Sequence, residues 1–439
     1  MSDKMDTIIL GAGLSGITTA YFLQQKEKEG RITLLEKEDR PGGLCRSIRK
    51  DGYIYDIGPH ILFSKDKEML NLMLSVLDKK NDLKRSNKIL YKGIPVQYPF
   101  ENDLSKLPTE DLHYCINSFN NNPYENYDAT NMIQFFLKTF GEGITNCYLR
   151  PYNEKIWKYD PAFMNTSMVD RIPKPTSEEI RRSAAGETVD GYLHQLYFSY
   201  PSDGGIEAVP NGFIKKLDKN RCTIKTKKTV VSVMKNDNNK FTVTTTDGEK
   251  YEADRLISTI PVQELVNSYS NSRDEIKQCS CNLRYNSIII AFVRTPYDLC
   301  GDNYAYMIPD KNVIFHRISK MDFLGPKYHK DNEATYMVEV TFRKNDHIDA
   351  LSDDELVGKI KNGMVSIGFS KKEEEVSIID ISRYQYAYVI YDLNHNDNMK
   401  KIRDFFRFEG IYLNGRFGNF EYWNMDKILR ESNNLVNNL

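Results

Sequence analysis

A chain of 439 residues has ample length for a large core and two or three intertwined domains, and its 60 Lys plus Arg against 61 Asp plus Glu argue against nucleic acid as the main partner. No window of about 18 apolar residues marks a membrane span, and Met1-Ser2-Asp3-Lys4 runs straight into a strand-like segment with no room for a signal peptide, so the expected location is cytoplasmic. The 7 cysteines are scattered without a CxxC pair and read as reduced thiols; neither they nor the 7 histidines stand at metal-ligand spacing, so no metal is expected.

Asp6-Thr7-Ile8-Ile9-Leu10 is a short apolar run with β-branched residues. It leads into Gly11-Ala12-Gly13-Leu14-Ser15-Gly16 and then a helix-like segment through Gln25. In a strand, glycine turn and helix of this kind, Gly11 permits the tight turn, Gly13 lets the backbone approach a pyrophosphate, and Gly16 lets helix and strand pack. The anion then rests on the helix N-terminus, where free N–H groups point. A second strand, Arg31-Ile32-Thr33-Leu34-Leu35, ends in Glu36, about 20 residues beyond Gly16, where an acid accepts from a ribose 2′-OH and favours an unphosphorylated adenosine ribose.

Lys65 to Leu83 carries Met69, Leu70, Leu72, Met73, Val76 and Leu77 at helical spacing and reads as a core-facing helix. Ile89-Leu90-Tyr91, Lys92-Gly93 and Ile94-Pro95-Val96 read as a hairpin, followed by Tyr98-Pro99-Phe100 with two aromatics on one side of an extended segment. Leu107 to about Lys155 is helical, with a cap signal at Thr109-Glu110-Asp111 and amphipathic stretches at Asn131 to Thr139 and Tyr148 to Trp157. Tyr192 to Tyr200 is strand-like, and Ile214 to Leu217 reads as a helix. Cys222 to Ile260 is dense in strands, with an Asp247-Gly248 turn. Tyr285 to Arg294, Tyr304 to Ile308, Val313 to Ile318, Thr335 to Arg343 and Arg383 to Tyr391 predict an antiparallel sheet. Gly410 to Gly418 is a short strand entering a glycine turn, and Met425 to Leu435 a terminal helix.

Glu36 through Gly42-Gly43, Cys45-Arg46-Ser47 and Asp56-Ile57-Gly58-Pro59-His60 resembles the FAD-dependent glutathione-reductase-like superfamily, in its branch of amine oxidases, protoporphyrinogen oxidases and UDP-galactopyranose mutases. Further stretches are similar to the UDP-galactopyranose mutase family: Tyr98 to Pro108, Tyr152-Asn153-Glu154-Lys155-Ile156-Trp157, Asp170-Arg171-Ile172-Pro173, Phe315-His316-Arg317, Tyr386-Ala387-Tyr388 and Gly415 to Asp426. The resemblance implies an α/β fold. A discontinuous Rossmann-like, glutathione-reductase-type FAD-binding domain would comprise 1–88, 203–265 and 400–439, with an inserted helical domain at 105–190 and an antiparallel β-sheet substrate domain at 89–104, 191–202 and 266–399. It also implies that FAD is held by Gly11, Gly13, Leu14, Ser15, Gly16, Glu36, Lys37, Gly43, Leu44, Arg46, Val230, Arg416 and Met425.

The implied activity interconverts pyranose and furanose forms of a nucleotide sugar such as UDP-galactose, for cell-surface polysaccharide. N5 of reduced FAD attacks the anomeric carbon, after NAD(P)H or another reductant has reduced the flavin. His60, Arg171 and Arg317 would act in catalysis, the arginines on the leaving diphosphate. Tyr98, Phe100, Asn153, Trp157, Tyr388, Tyr422 and Asn424 would bind substrate. Elementary chemistry agrees: two phosphates call for fixed cations and hydroxyl donors, and a base for aromatic stacking with an amide to read its edge. Pro59, Glu101, Pro175, Leu324 and Val389 depart from the family pattern, which leaves another nucleotide sugar, or an FAD oxidase of the amine or protoporphyrinogen type, as alternatives. The oligomeric state stays open.

Overall fold

Thr7–Leu10 is wholly buried at the centre of a five-stranded parallel sheet. In this computed structural model, which describes residues 5–171, 175–187, 189 and 196–439 without the side chains of Asp170 and Arg171, the sheet order is Ile411–Leu413, Arg255–Ser258, Thr7–Leu10, Ile32–Leu35, Cys222–Lys225. Runs such as TIIL and RLIS lack polar alternation because strands of a parallel sheet bury both faces. The helix Leu14–Lys26 leaves the glycine turn and packs on the terminal helix Met425–Asn437. A buried polar network locks that contact: Thr18 Oγ1 donates to Ser432 Oγ at 3.0 Å, and Asn414 Nδ2 donates to Thr19 Oγ1 at 2.9 Å and Ser432 Oγ at 3.0 Å. Residues from the two ends of the chain thus build one unit, a mixed α/β fold with a Rossmann-like sheet.

The second large element is a seven-stranded sheet, in order Ser377–Ile390, Arg284–Thr295, Ala334–Phe342, Arg317–Lys320, Ala305–Met307, Asn87–Tyr91, Ile94–Gln97. Every pair is antiparallel except Ala305–Met307 with Asn87–Tyr91. Lys92 and Gly93, with φ of 49° and 81°, make the tight hairpin turn between the last two strands. Tyr336, Val338 and Val340 face Leu356, Ile360 and Met364 of the helix Asp353–Ser366, while Met337 and Met307 belong to the larger core on the opposite face.

Some elements differ from expectation. The helix beginning at Lys67 stops at Ser75, and Lys80–Lys84 is instead a strand pairing with Tyr197–Pro201. The polar run Asp78-Lys79-Lys80-Asn81 ends the helical stripe, and Leu83 then lies opposite Phe198. Thr109 is the first helical residue rather than a cap. The helix placed at Ile214 to Leu217 is Ala208–Lys215, and the strand placed at Val313 to Ile318 is Arg317–Lys320. Helices beyond the sequence reading include Val262–Ser268, Asp274–Asn282, Asp353–Ser366, started by a Ser352–Glu355 capping box, and His395–Glu409. Tyr192 to Gln195 lie outside the described residues. The cysteines are all free, and no helix among the described residues is long and apolar enough to cross a membrane.

Candidate active site

The glycine turn makes a cradle whose members have separate jobs. Gly11 has φ of +90°, and a Cβ on Gly16 would stand 2.1 Å from the Gly11 carbonyl oxygen, so Gly16 is required for the helix to pack on the turn. A Cβ on Gly13 would meet only Gly43 Cα, at 3.7 Å, and would otherwise project into open space. Gly42 closes the far wall, its N–H donating to the Ala12 carbonyl at 2.8 Å. The helix that follows has no side-chain cap and no acid in its first turn, and Ser15 Oγ is buried without a partner among the described residues. A helix terminus left this way is complementary to an anion. Glu36 accepts from Ala12 N–H at 2.8 Å and Glu38 N–H at 3.0 Å, which fixes its carboxylate beside the turn. Arg46 is pinned by its Nε donating to the Gly43 carbonyl at 3.1 Å.

From this cradle a cavity of about 620 Å³ runs to the seven-stranded sheet. Its walls include Gly11, Gly13, Leu14, Ser15, Glu36, Lys37, Gly43, Leu44, Arg46, Val230, Arg416 and Met425, and also His60, Arg317 and Asn424. Of the cofactor residues expected from sequence, Gly16 alone is off the wall, being packed beneath it. His60 is half-buried, and its Nδ1–H donates to the Gly58 carbonyl at 3.1 Å. Burial, with Arg416 and Arg317 nearby, pushes its pKa down to about 4, so at neutral pH the ring is uncharged and Nε2 is an acceptor.

Arg317 is oriented by a residue the sequence reading missed. Its Nε and Nη2 both donate to Glu339, the latter at 2.6 Å, and Glu339 is fully buried directly across the strand pair. Tyr388 completes the group: it accepts from Arg317 Nη2 at 3.5 Å and donates to Glu339 Oε2 at 3.4 Å. Burial resists the charge on Arg317, but Glu339 outweighs it and holds the guanidinium pKa well above its usual value. Nη1 keeps its two N–H donors unpartnered among the described residues. Next to this group, Tyr388 stacks on Tyr422 at 5.7 Å and Trp157 stands edge-on to both. Arg416 lies 4.0 Å over the Tyr422 ring, its Nη2 donating to the Ala387 carbonyl at 2.6 Å. Asn153 accepts from Trp157 Nε1 at 2.7 Å while donating to the Leu149 carbonyl, so its amide fixes the indole.

Other expected residues stand elsewhere. Phe100 is fully buried, stacked on Tyr148 at 5.0 Å and edge-on to Tyr91, and does not reach the cavity wall. Tyr98 is half-buried and close enough to Arg85 to act on its charge. The side chain of Arg171, and all of Ile172 and Pro173, lie outside the described residues. Glu101 is 1% exposed and off the cavity wall, and burial pushes its pKa up to about 7. The cavity wall also carries cations absent from the predicted site, Arg85, Lys228 and Arg383. Glu339 had a signal, a lone acid in an otherwise apolar strand; Arg85 sits in a polar run that reads as a turn.

The uncapped helix terminus, the orphaned Ser15 hydroxyl, the open space over Gly13 and the Glu36 carboxylate fit the pyrophosphate and ribose of a dinucleotide, and with the wall at His60 they define a flavoprotein fold. Residues 14–392 match the flavin-containing amine oxidoreductase family. The chain belongs to that family. A solved structure of reduced UDP-galactopyranose mutase superposes with a TM-score of 0.89 at 23% identity, over 99% of this chain and 93% of that one. The UDP-galactopyranose mutase of Mycoplasma genitalium is 25% identical over 194 residues, 40% of this chain and 46% of that protein. The coproporphyrinogen III oxidase of Staphylococcus aureus is 41% identical over 64 residues, 15% of this chain and 14% of that protein. The matches thus span less than half of these curated relatives.

Proposed function

We propose that this protein is a flavin-dependent nucleotide-sugar mutase interconverting pyranose and furanose forms of UDP-galactose or a related sugar nucleotide. The observation that carries the reading is the cavity-lining Arg317, held in a fork by buried Glu339 and touching Tyr388, on which Tyr422 and Trp157 pack behind the wall. An oxidase pocket for an apolar or amine substrate has no use for a preset cation; a diphosphate does. The division into a discontinuous FAD domain, a helical insertion and a sheet domain for substrate suits this reading, since all five parallel strands fall within 1–88, 203–265 and 400–439.

FAD would rest on the Gly11 to Gly16 turn and Glu36, with Gly43, Arg46, Val230, Arg416 and Met425 along its length. When bound and reduced, it supplies the nucleophile for the anomeric carbon of the sugar. The remaining work belongs to the chain. Arg317 Nη1 donates to the leaving diphosphate, and because Glu339 has already fixed the fork, little reorganisation accompanies charge development. Arg171 is assigned a second contact to the same group. Trp157, held by Asn153, is assigned to the base together with Tyr98, while Phe100 stays packed on Tyr148. Tyr388, Tyr422 and Asn424 face the phosphates and sugar. Neutral His60 offers Nε2 as an acceptor beside the reacting centre. The test is to reduce the purified protein with dithionite, add UDP-galactofuranose and follow UDP-galactopyranose; inactivity of the reduced protein, with oxygen uptake on an amine, would overturn the reading.

A further inference from the structure

Away from the cavity, two of the 7 free thiols meet between packed helices. The helices Thr109–Asn120 and Met132–Ile144 run antiparallel in close contact: a Cβ on Gly141 would stand 2.6 Å from the Ser118 carbonyl oxygen, and one on Gly143 would overlap the Cys115 Cα. Cys147 comes four residues after Gly143, in the π-helical turn Thr145–Leu149, and so returns to the same face. Helical side chains lean toward their own N-terminus, which in an antiparallel pair tips Cys115 and Cys147 toward each other. The residues just before them stand side by side as well, Asn146 Nδ2 donating to Tyr114 Oη at 3.1 Å. The two sulfurs lie within hydrogen-bond reach of one another.

The two thiols are unequal. Cys115 is 0% exposed, whereas Cys147 is half-buried. The Cys115 S–H and the Tyr91 O–H donate to the Cys147 sulfur and, with the Lys92 cation, hold its thiol down to about 7 against burial and the Asp111 carboxylate. The same hydrogen bond, with burial, pushes Cys115 up. A thiolate is the sulfur nucleophile, so Cys147 attacks and Cys115 resolves. The π-helical turn is a form concentrated at functional sites, and this one runs straight into Arg150–Trp157, the helix that carries Asn153 and Trp157. We propose that Cys115 and Cys147 are a redox-active dithiol oxidised by a hydroperoxide, closing to a disulfide that pins this turn to the helix Thr109–Asn120. With hydrogen peroxide, the Cys147 thiolate attacks one oxygen and the O–O bond breaks. The other oxygen leaves as hydroxide, takes a proton from solvent to become water, and Cys147 is left as a sulfenic acid. The Cys115 sulfur then attacks the Cys147 sulfur, the S–OH bond breaks, and the hydroxide departs with the Cys115 proton as a second water. The two thiols lose two electrons and the peroxide gains them. The proposal does not depend on the nucleotide-sugar reading.

The experiment treats the FAD-loaded protein at neutral pH with a small excess of hydrogen peroxide, alkylates the remaining thiols and reads the unreduced digest by mass spectrometry. Two of the 7 thiols are expected to vanish together, the peptides of Cys115 and Cys147 to appear as one cross-linked species, and dithiothreitol to restore both. Cys115→Ser should stop at a Cys147 sulfenic acid, captured by dimedone, and Cys147→Ser should leave the buried Cys115 unreacted. Oxidation confined to the exposed Cys281, with Cys115 and Cys147 still alkylated, overturns the proposal and leaves the pair as packing. Oxidation of Cys147 to the sulfinic acid while Cys115 stays free overturns it too, because Cys115 is then out of reach of the sulfenic acid. Undiminished oxidation of Cys115 in Cys147→Ser overturns the order of attack. Should neither variant fold, the wild-type cross-link decides alone.

Discussion

Replacing Arg317 by Ala separates what the residue does for folding from what it does for the ligand. The guanidinium forms a two-pronged pair with Glu339, Nη2 to Oε2 at 2.6 Å, and the Glu339 side chain is 0% exposed. Removing one partner of a buried pair strands the other charge, at about 3–5 kcal/mol, which is roughly two to four decades in the folding equilibrium. Arg317→Ala should therefore lower the unfolding free energy by about that amount. The double variant Arg317→Ala with Glu339→Ala, lacking the stranded carboxylate, should recover a large part of the loss. Neither should bind UDP tightly, while both keep the yellow of bound FAD, because the glycine turn and Glu36 lie at the other end of the cavity. Urea unfolding gives the stabilities, and titration with UDP the affinities. A double variant no more stable than the single one would refute the stranded-charge argument, and wild-type UDP affinity in either would refute the assignment of Arg317 to the diphosphate.

Three further outcomes follow from the same geometry. Gly16→Ala drives a Cβ to 2.1 Å from the Gly11 carbonyl and should abolish soluble FAD-loaded protein, whereas Gly13→Ala, with only Gly43 Cα at 3.7 Å, should fold within about 1 kcal/mol of wild type yet lose FAD, read from the absorbance of purified protein. Glu101 has a folded pKa of about 7, above its usual 4.5, so its contribution is present at low pH and lost as pH rises through 7. Glu101→Gln should then gain about 3 kcal/mol at pH 8 and little at pH 4, checked by thermal unfolding. His60 has a folded pKa of about 4, below its usual 6.5; stability is full above pH 6.5 and falls as pH drops toward 4. His60→Asn should remove about 2 kcal/mol of that fall, discounted for partial exposure, and identical urea midpoints across pH 4 to 7 for the two proteins would contradict it.

The parts of this molecule legible in sequence are those where local chemistry dictates geometry. The turn at Gly11 to Gly16 announces itself because only glycine takes its conformation or its close contacts, and the apolar runs of the parallel strands because both faces are buried. The strand Lys80–Lys84 is different: its exposed, alternating residues depend on a partner more than 100 positions away, Tyr197–Pro201. Arg317 carried a motif, but Glu339 is its neighbour only through strand register, as Asn87 and Ser319 share a row only because Ala305 lies between them. Phe100 shows the converse: an aromatic in a substrate-like motif that the hairpin turns inward onto Tyr148.

The most direct test is an anaerobic incubation of the dithionite-reduced protein with UDP-galactopyranose, following the furanose anomeric proton by NMR. A furanose form should accumulate with reduced but not oxidised protein, without net consumption of reductant. No furanose product, alongside oxygen consumption with an amine or porphyrinogen, would contradict the mutase reading.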